Sequence, residues 1–219
     1  MYIAHRSEDA RDQLLIDHLQ GVSRLAGRFA ESFDAASHAC AVGQIHDLGK
    51  YSKEGQARQR DPEHTPKVDH ATAGAWELFQ KHDIPGALAV AGHHGGLPDL
   101  GNPSNSTGAS LWARMNRARR GNLKNYSAYQ EEIALLDIDV QALKRKLTSP
   151  LSMYFYTKML YSCLVDADFL DTEAFMQTNS QRQSPDIKME ALAQRFDLHI
   201  TNRGWLSPQR PLDEVRARI

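Results

Sequence analysis

A chain of 219 residues, 41% hydrophobic and 24% charged, is long enough for one globular domain with a real core plus an appendage. Its formal net charge of −1 excludes a uniformly basic protein, so any nucleic-acid surface has to be local. Residues 1–12 lack the apolar core of a secretory signal, and apolar runs such as 87–91 are too short to span a bilayer. Cys40 and Cys163 show no Cys-x-x-Cys spacing, so we expect reduced, buried thiols in a cytoplasmic protein.

Apolar residues at helical spacing predict an amphipathic helix over residues 12–33. His18 lies on its apolar stripe, where a histidine is either a satisfied core residue or a ligand, and both interpretations stay open. A second helix is predicted over residues 35–48. This helix delivers His46 and Asp47 at its end.

The adjacent His46 and Asp47 can ligate one metal ion, and the second carboxylate oxygen can bridge to another ion. Gly49 is predicted to stop the helix, so both side chains would stand where the helix opens into a loop. Lys50 would then place a cation within reach of a phosphate bound to the metals. Alone, a His-Asp pair is a weak signal, and the other histidines at helix ends strengthen it.

A polar loop is predicted over residues 51–67, and a third helix begins near Asp69, a plausible N-cap. His70 lies in the first turn of this helix. The pair Asp69-His70 is either a helix cap with a solvated neighbour or a contributor to a metal site.

A short helix predicted over residues 84–91 runs into Gly92-His93-His94-Gly95-Gly96. Packing does not explain two adjacent histidines flanked by three glycines. The glycines let the backbone turn freely and approach closely, so each imidazole can point at a separate ion. We therefore predict a functional role for His93 and His94.

A basic stretch without acidic residues follows within residues 100–130 and has Trp112, Tyr126 and Tyr129 around it. Cations with interleaved aromatic rings suit a single strand of nucleic acid, whose phosphates pair with cations and whose bases stack. A solvated basic helix face explains the pattern equally well. The five cations are Arg114, Arg117, Arg119, Arg120 and Lys124.

Three more helices are predicted, over residues 133–147, 153–170 and 187–198. The middle one is apolar nearly all round and should cross the centre of the core. Asp166 and Asp168 interrupt it, and a buried carboxylate calls for a nearby cation. Side chains two residues apart on a helix point in directions about 200° apart, so only one of these two carboxylates should reach a metal. Amphipathicity places Asp166 nearer the apolar stripe.

Together these side chains supply enough nitrogen and oxygen for two metal ions bridged by Asp47. Two such ions would clamp the attacking and leaving oxygens of a phosphodiester and lower the pKa of a water between them. Imidazole-rich ligation favours Mn, Fe, Co, Ni or Zn, with Mg as an alternative. The candidate ligands are His18, His46, Asp47, His70, His93, His94 and one of Asp166 and Asp168.

The order of these motifs resembles the HD metal-dependent phosphohydrolase superfamily. Within it, the chain is similar to the HD nuclease domain of the CRISPR-associated helicase-nuclease of type I interference systems. The resemblance covers roughly residues 1 to 200. It rests on His18, His46-Asp47-x-x-Lys50, Asp69-His70-x-x-x-Gly74-Ala75, Gly92-His93-His94-Gly95 and Ser162-Cys163-Leu164-Val165-Asp166-Ala167-Asp168.

The resemblance implies an all-α HD-domain helical bundle with a dinuclear metal site that cuts single-stranded DNA. It implies that Asp47 and Lys50 are catalytic, with Lys50 near the scissile phosphate. The family pattern Ala-Asp-aromatic-aliphatic matches residues 167–170, and for this reason Asp168 is favoured over Asp166.

We expect an HD nuclease domain over residues 1–200 and a linker or tail over residues 201–219. No Walker motif is visible, so the chain is either a stand-alone nuclease subunit or, as we favour, a fragment that ends before a helicase domain. The expected partners are single-stranded DNA, a helicase in cis or trans and an RNA-guided surveillance complex, and no membrane. Two other functions stay open: hydrolysis of nucleotides or cyclic dinucleotides, and a non-catalytic metal-bearing docking module.

Overall fold

A computed structural model describes residues 1–7, 9–104, 107–177, 188–204 and 214. The chain forms two compact units, Met1–Asn179 and Ser180–Ile219. The first unit is helical apart from one hairpin, which confirms the predicted all-α class. Its helices are α1 Leu15–Phe29, α2 Ala36–Ile45, α3 Lys53–Arg60, α4 Ala71–Gln80, α5 Ile84–Gly92, α6 Leu111–Arg119, α7 Val140–Lys146 and α8 Pro150–Met176, with 3₁₀ turns at Ala30–Phe33, Leu48–Tyr51 and Ser127–Glu131.

The N-terminal hairpin consists of β1 Ile3–Arg6 and β2 Asp12–Leu14, which pair antiparallel with His5 opposite Gln13. The prediction of a helix from residue 12 was wrong at this end. Residues 12–14 pair with β1 instead, and α1 begins only at Leu15. Tertiary pairing of this kind is invisible to helical periodicity, because the partner strand lies elsewhere in the sequence.

The core of the first unit forms where α1 packs against α2 and α8, and where α5 packs against α4 and α8. The apolar stripe of α1 is buried as predicted, and it includes Leu15, Leu19 and Val22. This packing brings the interior of α1, the end of α2, the start of α4 and the end of α5 together at one buried site. Most of the candidate ligands lie at or near this site.

Helix α8 is buried on one face only. Leu160 and Leu164 are fully buried, whereas Phe155 and Phe169 are each 57% exposed. The prediction that this helix crosses the centre of the core was therefore wrong. It lies along one side of the core, and its apolar residues occupy both faces.

Two other predicted elements differ from the structure, and one predicted boundary cannot be compared with it. Residues 51–67 were predicted as a loop but contain α3, whose N-terminus is capped by Ser52 accepting from the Gly55 amide. The predicted helix 133–147 is reduced to α7. The residue that was predicted to begin the last helix, Ile187, lies outside the described residues.

A buried polar link joins α2, α5 and α8. Asp83 is fully buried and caps α5, accepting from the Gly86 amide at 3.0 Å. His38 Nε2 donates to Asp83 Oδ2 at 2.7 Å, and His38 Nδ1 lies 2.8 Å from the hydroxyl of Tyr156. These contacts give His38 a structural role.

The second unit contains α9, Met189–Asn202, in its described part. Met189 and Phe196 on this helix are exposed. The predicted domain boundary at residue 200 falls within this unit and stays a prediction. Among the described residues, none of the helices has the length and apolarity to cross a membrane. Cys40 and Cys163 are free thiols as predicted, but only Cys163 is buried, whereas Cys40 is half-buried.

Candidate metal centre

Asp47 lies at the centre of a buried cluster of imidazoles and carboxylates. It follows α2, which ends at Ile45, and precedes the 3₁₀ turn Leu48–Tyr51. Its side chain is 1% exposed. Gly49 does not stop the helix as predicted, because α2 has already ended four positions earlier.

Gly49 has a different role, which is to let the His70 segment approach. A Cβ at position 49 would overlap the backbone of His70, and the Gly49 amide donates to the His70 carbonyl at 3.2 Å. His70 stands just before α4, after Asp69, whose carboxylate accepts from the Thr72 amide. Because Gly49 has no side chain, the His70 backbone can pack against it, and the His70 imidazole reaches Asp47.

One group of imidazoles faces Asp47 Oδ1. His70 Nε2 and His93 Nε2 each lie 3.3 Å from this oxygen. His94 Nε2 lies 2.8 Å from His70 Nε2. Ligand atoms of Asp47, His70, His93 and His94 lie within 4.8 Å of one another, a spacing that could hold one metal ion.

A second group faces Asp47 Oδ2. His46 Nε2 lies 3.6 Å and His18 Nε2 3.8 Å from this oxygen. Asp168 Oδ1 from α8 lies 3.3 Å from His18 Nε2 and 3.6 Å from His46 Nε2. The two oxygens of Asp47 therefore face two separate sets of nitrogen atoms, as a bridging carboxylate requires.

Four of the imidazoles are held through Nδ1 and point Nε2 into the cluster. A ring that donates its Nδ1–H outward keeps a lone pair on Nε2, which is the tautomer a metal ligand needs. The acceptors are Gly43 O for His46 at 2.8 Å, Val90 O for His93 at 2.7 Å, Val68 O for His70 at 3.2 Å and Asp171 Oδ2 for His18 at 2.8 Å.

Several inward-facing atoms of the cluster have no hydrogen-bond partner. Such buried polar atoms are costly in a folded protein unless something satisfies them. Three imidazole nitrogens and one carboxylate oxygen converge here, and these are donor atoms that suit a divalent transition metal. The orphaned atoms are His18 Nε2, His46 Nε2, His93 Nε2 and Asp47 Oδ1.

The two carboxylates of the cluster are ionised. Burial alone would raise the pKa of Asp47, but Lys50 and the surrounding imidazoles hold that pKa well below its usual range. Burial alone would likewise raise the pKa of Asp168, and the neighbouring imidazoles of His18 and His46 lower it instead. The cluster thus presents buried negative charge that attracts cations.

The imidazoles fall into two electrostatic classes. Burial alone would lower the pKa of His18, but the carboxylates of Asp168 and Asp171 raise it to about 9. Burial lowers the pKa of His94 to about 4, and it also lowers the pKa of His70. His70 and His94 are therefore neutral near pH 7. Burial alone would lower the pKa of His93, but Asp47 raises it, and His18 carries a proton when no metal competes for its nitrogen.

Lys50 lies against Asp47 on the buried side. It is 3% exposed, and its Nζ lies 2.7 Å from Asp47 Oδ2 and donates to the Ala4 carbonyl at 3.2 Å. The ammonium of Lys50 was predicted to lie within reach of a phosphate bound to the metals. The structure places it next to the bridging carboxylate and the hairpin.

The structure brings Asp168 to the cluster and leaves Asp166 out of it. Asp166 is exposed, and none of the ligand groups among the described residues includes it. The inference that Asp166 lies nearer the buried face was wrong, because α8 carries apolar residues on both faces. The motif-based preference for Asp168 agrees with this geometry.

Sequence reasoning missed three residues beside the cluster. His5 of β1 supplies a ring nitrogen within 4.8 Å of ligand atoms of His18 and Asp168, and burial lowers its pKa to about 3. Asp171 holds the His18 ring and also accepts from Gln13 Nε2 at 2.7 Å. The signal that could have found Asp171 is its spacing of three residues from Asp168 on one helix. His5 and Gln13 carry no comparable signal.

The basic stretch lies partly along a cleft of about 350 Å³ beside the residues that precede α4. Arg119 and Arg120 are exposed and do not line this cleft. Lys124 pairs with Glu54 at 3.3 Å. The charged residues that line the cleft are Glu54, Lys67, Asp69, Arg114, Arg117 and Lys124.

The aromatic residues around this stretch do not form a stacking surface. Tyr129 is buried, and Tyr126 stacks on it and donates its hydroxyl to Glu77 at 2.7 Å. Trp112 packs edge-on against Phe79. Tyr129 is therefore not accessible for base stacking, whereas Trp112 and Tyr126 are half-buried and their predicted contact with bases stays a prediction.

Comparison with known proteins agrees with the geometry. A search of curated proteins found no match. The family model described as "Cas3, HD domain" matches residues 10–157, which precede Asp168 and follow His5. This match covers more than half of the 219 residues, and the chain therefore belongs to the Cas3 HD-domain family of CRISPR-associated nuclease domains.

Proposed function

We propose that this chain is a metal-dependent nuclease that hydrolyses single-stranded DNA in CRISPR interference. The observation that carries the proposal is the set of orphaned, buried Nε2 atoms facing the two oxygens of Asp47. An apolar or purely structural core would leave no such atoms without partners. Divalent cations satisfy them and also match the family to which the chain belongs.

Two cations would be held by two sets of donors that share Asp47. When bound, they supply charge that stabilises the attacking and leaving oxygens of a phosphodiester. The nitrogen-rich donors favour Mn, Fe, Co, Ni or Zn over Mg. One set is Asp47 Oδ1, His70, His93 and His94, and the other is Asp47 Oδ2, His18, His46 and Asp168.

The burial of these side chains supports an approach of substrate from the side of His70 and His94. His18 and His46 are fully buried, whereas the side chain of His70 is 22% exposed and His94 is exposed. A substrate that approaches from this side meets the more exposed of the two donor sets.

The basic cleft supports a polymeric substrate. Asp69, which precedes His70, lines this cleft together with Arg114, Arg117 and Lys124. Phosphates that follow the scissile bond can pair with these cations. Because Tyr129 is buried and Trp112 and Tyr126 are half-buried, we propose that binding relies on the sugar-phosphate backbone and reads little sequence.

The proposed partners follow from the family. CRISPR-associated nuclease domains act with nucleic acid, so a helicase in cis or trans and an RNA-guided surveillance complex are the proposed sources of the single strand. We propose residues 1–200 as the nuclease domain. We propose residues 201–219 as a linker or tail outside this domain.

The test uses the full chain loaded with Mn²⁺ and incubated with labelled single-stranded DNA, mononucleotides and cyclic dinucleotides. Asp47→Asn removes one charge and one bridging oxygen, and we expect DNA cleavage to fall at least about 100-fold, the upper end of the loss from weaker contacts to metal ligands. Asp166→Asn is the matched control, because Asp166 is an exposed aspartate outside the cluster.

Three results would overturn the proposal. Hydrolysis of nucleotides without cleavage of DNA would assign a small-molecule phosphohydrolase. Inertness towards all substrates with metal bound would assign a docking module. Equal cleavage by Asp47→Asn and the parent would remove the cluster from the reaction.

A further inference from the structure

His5 stands at the edge of the metal centre, on a strand that precedes the residues matched by the family model. We propose that His5 is a further ligand of the cation held by His18, His46 and Asp168. This inference rests on the proposed function, since it assumes that the centre binds metal. It adds a ligand from the hairpin that none of the sequence motifs predicts.

The distances around His5 are those of a ligand set. One His5 ring nitrogen lies within 4.8 Å of ligand atoms of both His18 and Asp168. Ligands about 2.0–2.2 Å from a zinc-like ion stand up to roughly 4.4 Å apart, so a small inward shift completes the group. The His5 and His18 rings meet edge-on, with centroids 4.9 Å apart, so the two imidazoles are direct neighbours.

The His5 ring is held from the same helix that supplies Asp168. His5 Nε2 lies 3.2 Å from the hydroxyl of Thr172, one turn after Asp168 on α8. An outer contact of this kind orients a ligating imidazole. Four of the other imidazoles are also held through one nitrogen, which in their case is Nδ1.

The hairpin that carries His5 is fixed to the centre at several points. The buried side chain of Gln56 accepts from the Ile3 amide at 3.0 Å and donates to the Ile3 carbonyl at 2.9 Å. Lys50, which contacts Asp47, donates to Ala4. The backbone on the N-terminal side of His5 is therefore positioned by the residues around the bridging carboxylate.

The second strand of the hairpin reaches the centre as well. Gln13 stands opposite His5 and donates to Asp171, the carboxylate that also holds His18. Both strands thus contact the same side of the ligand set. A loose surface hairpin would not make these paired contacts, and they keep the His5 ring in place for a metal.

The test measures binding of Co²⁺ to the full chain after treatment with EDTA and removal of the chelator. His5→Phe keeps a ring that can pack on His18 but has no ligand nitrogen. We expect the parent to bind two Co²⁺ ions and His5→Phe to bind one of them about 10- to 100-fold more weakly. His64→Phe is the control, because the His64 side chain is 80% exposed.

A second measurement separates ligation from structural support. Proton NMR of the Co²⁺ protein at saturating metal resolves the exchangeable N–H protons of ligating imidazoles at strongly shifted positions. We expect His5→Phe to lose one such resonance and His64→Phe to keep all of them.

Unchanged affinity and an unchanged set of shifted resonances in His5→Phe would overturn this inference and leave the proposed function standing. A parent that binds no Co²⁺ would overturn both. Weaker binding with every shifted resonance retained at saturation would assign His5 a supporting role and also overturn the inference.

Discussion

Asp47 is the residue on which the two donor sets depend, because each of its oxygens faces a different set. Oδ1 lies 3.3 Å from His70 and His93, and Oδ2 lies 3.6 Å from His46. An amide at this position would keep one oxygen, but its –NH2 group has no lone pair available for a metal ion. The substitution Asp47→Asn therefore affects both sets together.

His18 makes the binding of metal depend on pH. The carboxylates around it raise its pKa to about 9, above the unperturbed value of 6.5, so the metal-free protein holds a proton there at pH 7.5. A cation at Nε2 must displace that proton, so affinity should rise with pH up to about 9 and then level off. Calorimetric titration with Mn²⁺ at pH 7.5, in two buffers of different ionisation enthalpy, measures the release. Identical heats in both buffers would contradict this prediction.

The site residues that were predicted from sequence form local motifs, whereas those that were missed depend on contacts between distant segments. His46-Asp47 and His93-His94 are adjacent pairs at helix ends, and local pattern alone singles them out. His5 is a lone histidine in a short strand, and its position depends on pairing with β2 and on contacts from Gln56. Such nonlocal contacts produce no periodic pattern of residues in the sequence, so sequence patterns cannot predict them.

At the scale of elements, the clearest requirement is the contact between the turn after Asp47 and the residues before α4. A methyl group on Gly49 would overlap the backbone of His70. We expect Gly49→Ala to lower the free energy of unfolding by about 1–3 kcal/mol, the usual cost of overpacking. Urea denaturation in EDTA measures this loss without a contribution from metal.

The matched control is Gly95→Ala. Nothing lies within 4 Å of a Cβ at position 95, and its φ is not positive. Its free energy of unfolding should stay within about 0.5 kcal/mol of the parent, as for most surface substitutions. Equal effects of the two alanines would show that the contact between Gly49 and His70 is not needed.

Helix α8 is an element whose buried face could not be predicted from the sequence. Its existence was predicted correctly from its long apolar run, but its buried face was not. Phe155 and Phe169 are exposed although they are as apolar as the buried Leu160. Because apolar residues lie on both faces of α8, its sequence does not indicate which face is buried. The choice between Asp166 and Asp168 therefore depended on the family motif at residues 167–170 and on the fold.

At the scale of the whole molecule, the donors come from segments spread along most of the first unit. They belong to the ends of α2 and α5, the start of α4, and the interiors of α1 and α8. Cations bound only by the folded protein stabilise it by mass action, by about 2.7 kcal/mol at a concentration 100 times the Kd. For a chain of this size that corresponds to a rise in Tm of roughly 5–10 °C.

Thermal unfolding in EDTA and in excess Mn²⁺ measures this rise. We expect Asp47→Asn to lose most of it, whereas Asp166→Asn should retain it. A parent with the same Tm in both solutions would contradict metal binding by the folded centre.

The link between His38, Asp83 and Tyr156 has a consequence for how the molecule opens. Asp83 both caps α5 and accepts from a ring on α2, and that ring meets a hydroxyl on α8. The first turn of α5 therefore cannot fray alone without taking one of its hydrogen-bond donors from the buried Asp83 carboxylate. The amide of Gly86 should exchange with solvent only when three helices separate together, so the segment that delivers His93 has the slow exchange of a core and not of a loop.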